Sequence, residues 1–581
     1  MKKEDKKQKT LIGGQALMEG VMMQGANSLA MTVRTEDGDI LTETKRLGGR
    51  KWYSKVPIIR GCVAFIKSLI SGTTSLMRSS EVIYPEEDTP SKGAFVIASV
   101  IGVILAIGMF ILLPSFISGL IFPVPTGLGV LWSSLTEGGL RIVIFIAYLL
   151  LVSRMRDIRR TFMYHGAEHR TINCYEKGLP LTVESVQSCS TRHNRCGTTF
   201  LFFVIVISIL VFSFATWVFD VLGWANIGVF GKMGIRLLLL PLVAGLSYEL
   251  LRLLALLPEN KFTDIFRAPG LALQRLTTYP PDDDMAEIAI ISFNLVKQMD
   301  EDLTIEPHNF GDFTMGELKA LVKGRLVKAG VTEDAETDWI IATALGVKRG
   351  ELSQIEKTNF EQYRKVTAIL RKREKGIPLD YITGKSYFYG KELVISDAVL
   401  IPRIDTEFVA DEAIKLIKQT QNATVLDLMT GSGCIARAIA DETNAVVTAS
   451  DKSEDALVIA EKNLDGKAKI VLSDAFEQIE GKFDFIVSNP PYIKTEVIQT
   501  LAPEVKCQPH IALDGGADGL DFYRLIAERA PEYLNDDGML ILEIGYDQAQ
   551  EVSALLEKNF IDITIKSDYA GQDRVVIARK K

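Results

Sequence analysis

Four apolar stretches constrain this chain more than any other feature: about 94 to 121, 138 to 153, 199 to 222 and 233 to 257. A helix that crosses a bilayer needs about 20 apolar residues, because lipid offers no partner to an unpaired backbone N–H or C=O. One such stretch could be a buried helix of a soluble core. Four in one chain point to an α-helical membrane domain with about four transmembrane helices, the second reaching full length only if it extends upstream.

Flanking charge sets the orientation. The segment between the second and third stretches carries Arg154, Arg156, Arg159, Arg160, Arg170, Lys177, Arg192 and Arg195, whereas 122 to 140 has no Lys or Arg. Positive loops stay inside. The loop at 154 to 198 is therefore expected to be cytoplasmic, and an even number of spans puts both termini there as well. The N-terminal MKKEDKKQKTLIGG is charged without a following apolar run, so no cleaved signal peptide is expected. The six cysteines form no CxxC pair, which fits a reducing compartment. The apolar runs end near Pro258, and the rest of the 581 residues read as a soluble, mildly acidic protein. A net charge of -8 averages two different parts but speaks against a basic nucleic-acid-binding surface, so no direct nucleic acid is expected, while the apolar stretches make membrane lipid an expected partner.

The cytoplasmic loop holds His165-Gly166-Ala167-Glu168-His169. Residues four apart on a helix share a face, so His165 and His169 could reach one divalent metal, with Glu168 beside them as a base and His193 as a further ligand. Cys174, Cys189 and Cys196 lie in the same loop. These side chains could equally cap membrane helices or bind lipid headgroups, and spacing leaves both readings open. Gly13-Gly14-Gln15-Ala16, Glu19-Gly20-Val21-Met22-Met23, Arg60-Gly61, HGAEHR and SCSTRHNRCGT together resemble the DUF1385 (YqhQ-like) family of bacterial membrane proteins, over about residues 10 to 300. The resemblance implies a metal-dependent enzyme and names no reaction.

A polar linker is expected at 301 to 313, and apolar residues at helical spacing from Met315 predict a small helical domain at 314 to 375. From about 385 to 581, short β-branched runs alternate with helical stretches, as in a parallel sheet covered on both faces. ATVLDL, AVVTASD, AKIVLSD, FDFIVSN and GMLILEIG are the expected strands. Ligands in such folds sit beyond the carboxyl ends of the strands.

The first of these strands runs through Asp427 into Met429-Thr430-Gly431-Ser432-Gly433, a turn that lets backbone N–H groups approach a ligand. The next ends at Asp451, where a carboxylate can hold ribose hydroxyls, and no GK[ST] comes after the turn to cradle a pyrophosphate. That combination favours S-adenosylmethionine. Asp474, beside Ala475, could meet the adenine amino group, or could cap a helix. The fourth strand delivers Asn489-Pro490-Pro491-Tyr492. Two prolines stiffen the backbone, so the Asn489 side chain and the Pro490 carbonyl become fixed acceptors for a planar NH2 group, against which Tyr492 packs.

This tetrapeptide does not choose between a glutamine amide and the exocyclic amine of adenine. GIPLDYITGKSYFYG (376 to 390), LIPRIDTEFV (400 to 409), ALDGGADGLDFYR (512 to 524), LEIG and AGQDRVV resemble the release-factor glutamine methyltransferases, the PrmC/HemK family, from about 314 to the C-terminus. The resemblance implies an α/β class I (Rossmann-like) methyltransferase, a protein-glutamine N5-methyltransferase acting on the Gly-Gly-Gln (GGQ) loop of bacterial class 1 peptide chain release factors, with the helical domain engaging the factor. It implies a cofactor site at Asp427, Met429 to Gly433, Asp451, Asp474, Ala475 and Asn489, and a substrate site at Asn489 to Tyr492 with Arg403 and Glu407. Two departures stand out: Ile404-Asp405 where the family has Pro-Glu, and Gln508 where Glu is frequent. Alternatives are an adenine-N6 nucleic-acid methyltransferase, disfavoured by the acidic balance, and an inactive methyltransferase module on a membrane metalloprotein. Gly13-Gly14-Gln15 repeats the expected target tripeptide, but it belongs to the first family's own pattern.

Overall fold

The computed structural model of the chain describes residues 10–49, 52–84, 92–122, 128–222, 229–257, 261–331 and 334–581. They form two units, Met1–Asp312 and Phe313–Lys581.

In the first unit, four helices among the described residues are long and apolar enough to cross a membrane: Val96–Ile121, Trp132–Val152, Gly197–Phe219 and Gly234–Leu254. The second does extend upstream, its helix running over Leu128–Val152. Their surfaces invert the usual arrangement of a soluble protein. Leu105, Leu151 and Leu238 are 66%, 68% and 79% exposed, while Glu137, Arg141 and Arg236 are buried. The Glu137 carboxylate accepts from Arg141 through Oε1 and from Arg236 through Oε2, each at 2.6 Å. Arg141 also donates from Nη1 to Ser208 Oγ at 2.8 Å and from Nε to the Phe110 carbonyl at 3.0 Å. Phe110 lies in the wide π turn Gly108–Leu112, and such turns redirect backbone carbonyls away from the regular ladder.

The same unit begins with an antiparallel meander that the sequence pattern does not predict: β1 Gly13–Leu17, β2 Gly20–Gln24, β3 Ser28–Arg34 and β4 Ile40–Arg46. Its buried residues Val21, Met23 and Ala30 pack on the helix Asp283–Glu301 through Phe293 and Val296. The Ser292 hydroxyl bonds the Val21 and Ala30 carbonyls. β2 is buried at four consecutive positions, so it lacks the polar-apolar alternation by which a half-exposed strand is recognised.

The second unit opens with helices Met315–Lys328, Asp334–Leu345 and Phe360–Glu374. Capping boxes start the first and third, at Thr314 with Glu317 and at Asn359 with Gln362. Arg373 ties the third helix to the second and to a distant loop, donating to Glu336 at 2.7 Å and to Glu504 at 2.6 Å. A hairpin comes next, β5 Lys385–Phe388 and β6 Lys391–Val394.

The remaining strands are β7 Thr424–Leu428, β8 Val446–Asp451, β9 Ala468–Leu472, β10 Phe483–Ser488, β11 Leu534–Glu543, β12 Phe560–Ser567 and β13 Asp573–Lys580. They make one sheet in the order β12-β13-β11-β10-β7-β8-β9. Helices Ile404–Ile417, Cys434–Glu442 and Glu454–Leu464 cover one face, and Asp521–Tyr533 and Ala549–Leu556 the other. This is an α/β class I methyltransferase fold. The sheet is mixed, not wholly parallel: β13 runs antiparallel to both β11 and β12. The short link between β12 and β13 permits only a hairpin, since a parallel return needs a crossover of a dozen or more residues.

Removing one partner of a buried charge network leaves the others uncompensated. Glu137→Ala should destabilise the first unit by about 3–5 kcal/mol, read as a lowered thermal midpoint in detergent. Replacing Glu137, Arg141 and Arg236 together by leucine should recover most of that loss.

Candidate active site and candidate metal centre

The strand order reverses between β7 and β10, and their ends are bound to one another by the Ser488 hydroxyl, which donates to the Leu428 carbonyl at 2.6 Å. Ligand clefts of open α/β sheets form at such a switch point. After β7 the backbone turns sharply, with φ of +63° at Met429, +55° at Gly431 and +78° at Gly433. A Cβ at Gly433 would stand 3.2 Å from Ala460, so glycine serves both the dihedral and the close helix approach. Asp427 holds the turn from beneath. Its Oδ2 accepts from the Thr430 hydroxyl at 2.5 Å and from the Ala436 N–H at 3.0 Å. Complete burial pushes its carboxyl up to about 7 against those two donors.

Asp451 closes β8, accepting from the Gly431 N–H at 2.8 Å and the Ser453 N–H at 2.9 Å. Asp474 lies farther along the cleft, its carboxylate 2.5 Å from Lys452 Nζ at the rim. No helix begins there, so the capping reading of Asp474 lapses. Opposite, Asn489 comes directly after β10, and its Nδ2 donates to the Thr406 hydroxyl at 3.2 Å. That bond turns the carbonyl end of the amide away from Thr406.

Arg403, Met429, Thr430, Gly431, Ser432, Asp451, Asp474, Ala475, Asn489 and Pro491 thus line one cleft. Five expected residues stand outside its lining. Asp427 is beneath, Gly433 begins the helix, and Pro490 is buried. Glu407 accepts the Tyr389 N–H at 2.6 Å and so fixes the β5–β6 hairpin. The Tyr492 hydroxyl points to Glu543 Oε1 at 3.5 Å.

Glu543 and Thr406 are participants that sequence reasoning missed. Glu543 ends β11, so the strand-end rule that selected Asp451 and Asn489 would have selected it too. It is wholly buried, and burial lifts its carboxyl to about 7 against the opposing pull of Thr406, Arg574 and Tyr492. Its Oε2 has no hydrogen-bond partner.

Both departures from the family pattern have local explanations. Asp405 reaches Arg574 at 3.4 Å, and Ile404, 80% exposed at the first helical position, displaces nothing. Gln508 accepts from the Ile401 N–H at 3.1 Å and donates to the Glu504 carbonyl at 3.3 Å, a pair of bonds an ionised glutamate could not make.

In the first unit, helix Arg156–Glu176 carries His165 and His169 with ring centroids 4.5 Å apart. His165 Nδ1 meets the Thr277 carbonyl at 3.0 Å, and His169 Nδ1 meets the Thr191 carbonyl at 2.6 Å. A carbonyl only accepts, so each Nδ1 carries the proton and each Nε2 keeps its lone pair. Cys196 Sγ lies 3.3 Å from His165 Nε2, and one ligand atom from each of these three residues falls within 4.8 Å of the others. His193 is turned away, its Nε2 3.4 Å from Glu176 Oε2. Cys196 therefore stands where His193 was expected. Glu168 is buried with Oε2 unpartnered, and burial raises its carboxyl above the usual range. A Cβ at Gly14 would come within 2.9 Å of that side chain. Gln15 of the Gly-Gly-Gln repeat lies in β1, paired to Met22 with its side chain against Gly72, which is no posture for a methyl acceptor.

Residues 56–299 match the family described as a protein of unknown function, DUF1385. Residues 317–384 match the PrmC N-terminal domain, and 410–505 the methyltransferase small domain. A release factor glutamine methyltransferase of Geobacter sulfurreducens is 41% identical over 268 residues, covering 93% of that protein and 44% of this chain. A protein of the same name from Agrobacterium fabrum is 39% identical over 272 residues, covering 90% of that protein and 45% of this one. The uncharacterized protein YqhQ of Bacillus subtilis is 35% identical over 304 residues, covering 91% of it and 48% of this chain. The chain joins a DUF1385 member to a release factor glutamine methyltransferase family member. Each half spans nine-tenths or more of these relatives, so both resemblances read from the sequence hold.

The raised carboxyls of Asp427 and Glu543 set a sign for pH. The folded protein keeps protons there that the unfolded chain releases above the ordinary carboxylate range, so this contribution to stability is greatest below that range and is lost as pH rises through 7. Glu543→Gln should narrow the difference in urea midpoint between about pH 5.5 and pH 8, measured on the second unit's transition.

Proposed function

We propose that the second unit transfers a methyl group from S-adenosylmethionine to the side-chain N5 of the glutamine in the GGQ loop of peptide chain release factors. The observation that carries this reading is the amide of Asn489, held by Thr406 across the cleft from the Met429–Gly433 turn, in a chain whose relatives bear that activity in their names. The cleft fits the cofactor. Positive φ at Met429, Gly431 and Gly433 bares backbone N–H groups, Asp451 offers a carboxylate at the ribose position, and Asp474 and Ala475 stand at the adenine position. Bound there, S-adenosylmethionine supplies an electrophilic methyl carried on a sulfonium.

The protein's share is positioning. An amide nitrogen is a poor nucleophile because its lone pair is delocalised into the carbonyl. Asn489 Oδ1 and the Pro490 carbonyl grip the two N–H bonds of the substrate amide and fix the nitrogen's direction, and they stabilise positive charge as it grows there. Tyr492 packs on the amide plane, with its hydroxyl anchored toward Glu543. Arg403 binds at the substrate mouth, and Glu407 acts through the hairpin it fixes. Helices Met315–Lys328, Asp334–Leu345 and Phe360–Glu374 engage the release factor, and Arg373 with Glu504 holds them to the catalytic region.

The four apolar helices tether this enzyme to a membrane, with 154–198, both termini and the methyltransferase on the cytoplasmic side. In the first unit, the cluster around His165 and His169 holds a divalent metal, with Glu168 beside it.

With the full-length protein in detergent, labelled S-adenosylmethionine and a release factor, Asn489→Ala should lower kcat/KM by about 100- to 1,000-fold. Label on DNA and none on the release factor would overturn the substrate. Cys507 is exposed. A membrane-impermeant thiol reagent should label it in inside-out vesicles and not in intact spheroplasts, with Cys507→Ser as the control; the reverse pattern would overturn the orientation.

A further inference from the structure

The histidine cluster is one proton short. His165 Nε2 and His169 Nε2 both present lone pairs, because both Nδ1 protons are committed to the backbone carbonyls of Thr277 and Thr191. Between them stands only the Cys196 thiol. A single S–H can satisfy one of two acceptors, and with His169 and Cys196 buried and His165 half-buried little solvent is at hand for the other. A cation shared by all three atoms removes the conflict.

Three further observations fit a cation. Histidine ligands of metals are characteristically oriented by a hydrogen bond from the other ring nitrogen to a carbonyl or carboxylate, which is the arrangement of both rings here. Cys196 immediately precedes the helix Gly197–Val221, and its sulfur accepts the Thr198 N–H at 3.3 Å. That N–H donor turns toward the sulfur as a partner for its lone pairs, which suits a sulfur that ligates a cation. The 3.3 Å from Cys196 Sγ to His165 Nε2 is close to the ~3.6 Å that Zn–S and Zn–N bonds subtend at a tetrahedral ion.

We infer that His165 Nε2, His169 Nε2 and Cys196 Sγ form a tripod for Zn2+ whose fourth position is exchangeable, with Glu168 beside it as a non-ligating carboxylate and His193 outside the ligand set. This rests on the proposal that the cluster holds a divalent metal, and adds which atoms bind and what is left open. Two imidazoles and a thiolate select Zn2+ or its surrogate Co2+ over the hard cations, which prefer oxygen. Three protein ligands leave one position for water or an anion, as in zinc sites that do chemistry, whereas structural sites are closed by four. Glu168 suits the vicinity of that position. It is buried, its Oε2 has no partner, and Gly14 leaves it the room it occupies. His193 is already engaged by Glu176 and by the Arg195 N–H.

The test uses the full-length protein in detergent, stripped and reloaded with Zn2+ or Co2+. One metal per chain is expected, and the Co2+ form should show intense tetrahedral d–d bands with a sulfur-to-cobalt charge-transfer band. His165→Ala and His169→Ala should lose the metal, while His193→Ala and Glu168→Gln keep it. Cys196→His, which can still ligate, should keep the metal and lose only the charge-transfer band. Azide should shift the d–d bands of the unmodified protein. Metal bound without the charge-transfer band, or lost in His193→Ala and kept in Cys196→Ala, would overturn the tripod while leaving a metal site standing. A spectrum indifferent to azide would overturn the open position. Failure of the unmodified protein to bind either metal would overturn the metal site and the tripod together.

Discussion

A polar group taken out of water must find a partner, and each site in this chain is organised around how that demand is met. Glu137 meets it with two arginines, Arg141 on its own helix and Arg236 on another, joining two transmembrane-length helices where apolar contact alone gives no direction. Asp427 meets it with Thr430 and Ala436 and thereby shapes the turn that forms one wall of the cleft. Asn489 meets it through the Nδ2 end of its amide, with Thr406, while its side chain lines the cleft. At His165, His169 and Cys196 the demand is met one proton short.

In the second unit this bonding turns a common fold into a particular site. The sheet order brings the ends of β7 and β10 together, and Ser488 locks them. Neither the Gly-rich turn nor Asn-Pro-Pro-Tyr makes the cleft alone, since each supplies one part of its lining. Their adjacency brings Asn489 and Pro491 into the same cleft as Met429 to Ser432. Behind them, Glu543, Tyr492, Thr406 and Arg574 form a buried polar layer that the chain draws from four separate segments.

Much of this was legible in the sequence because it is written in local patterns. Apolar length revealed the spans. Glycine spacing and strand-end carboxylates revealed Met429 to Gly433 and Asp451, and two prolines after a strand revealed Asn489. The β1–β4 meander was not legible, because burial of β2 at four successive positions erases the alternation that identifies a strand. Thr406 stood out only as part of a longer motif, for nothing local marks a threonine in a helix as a partner of Asn489, while Glu543 had its strand-end position alone to mark it. The departure at Gln508 could be noticed in sequence but not weighed, since its two backbone partners lie in different segments.

The sequence by itself determined the chain's two-part character, its long apolar helices and its class of fold, because these depend on residues close together along the chain. Only the tertiary structure decided which side chains meet. It brought Cys196 beside His165 and His169, paired His193 with Glu176, set Asp427 beneath the cleft and not in it, and put Glu543 behind Tyr492. Local spacing fixes the face on which a side chain sits, whereas the direction it finally takes depends on which distant carbonyl or carboxylate arrives to pair with it.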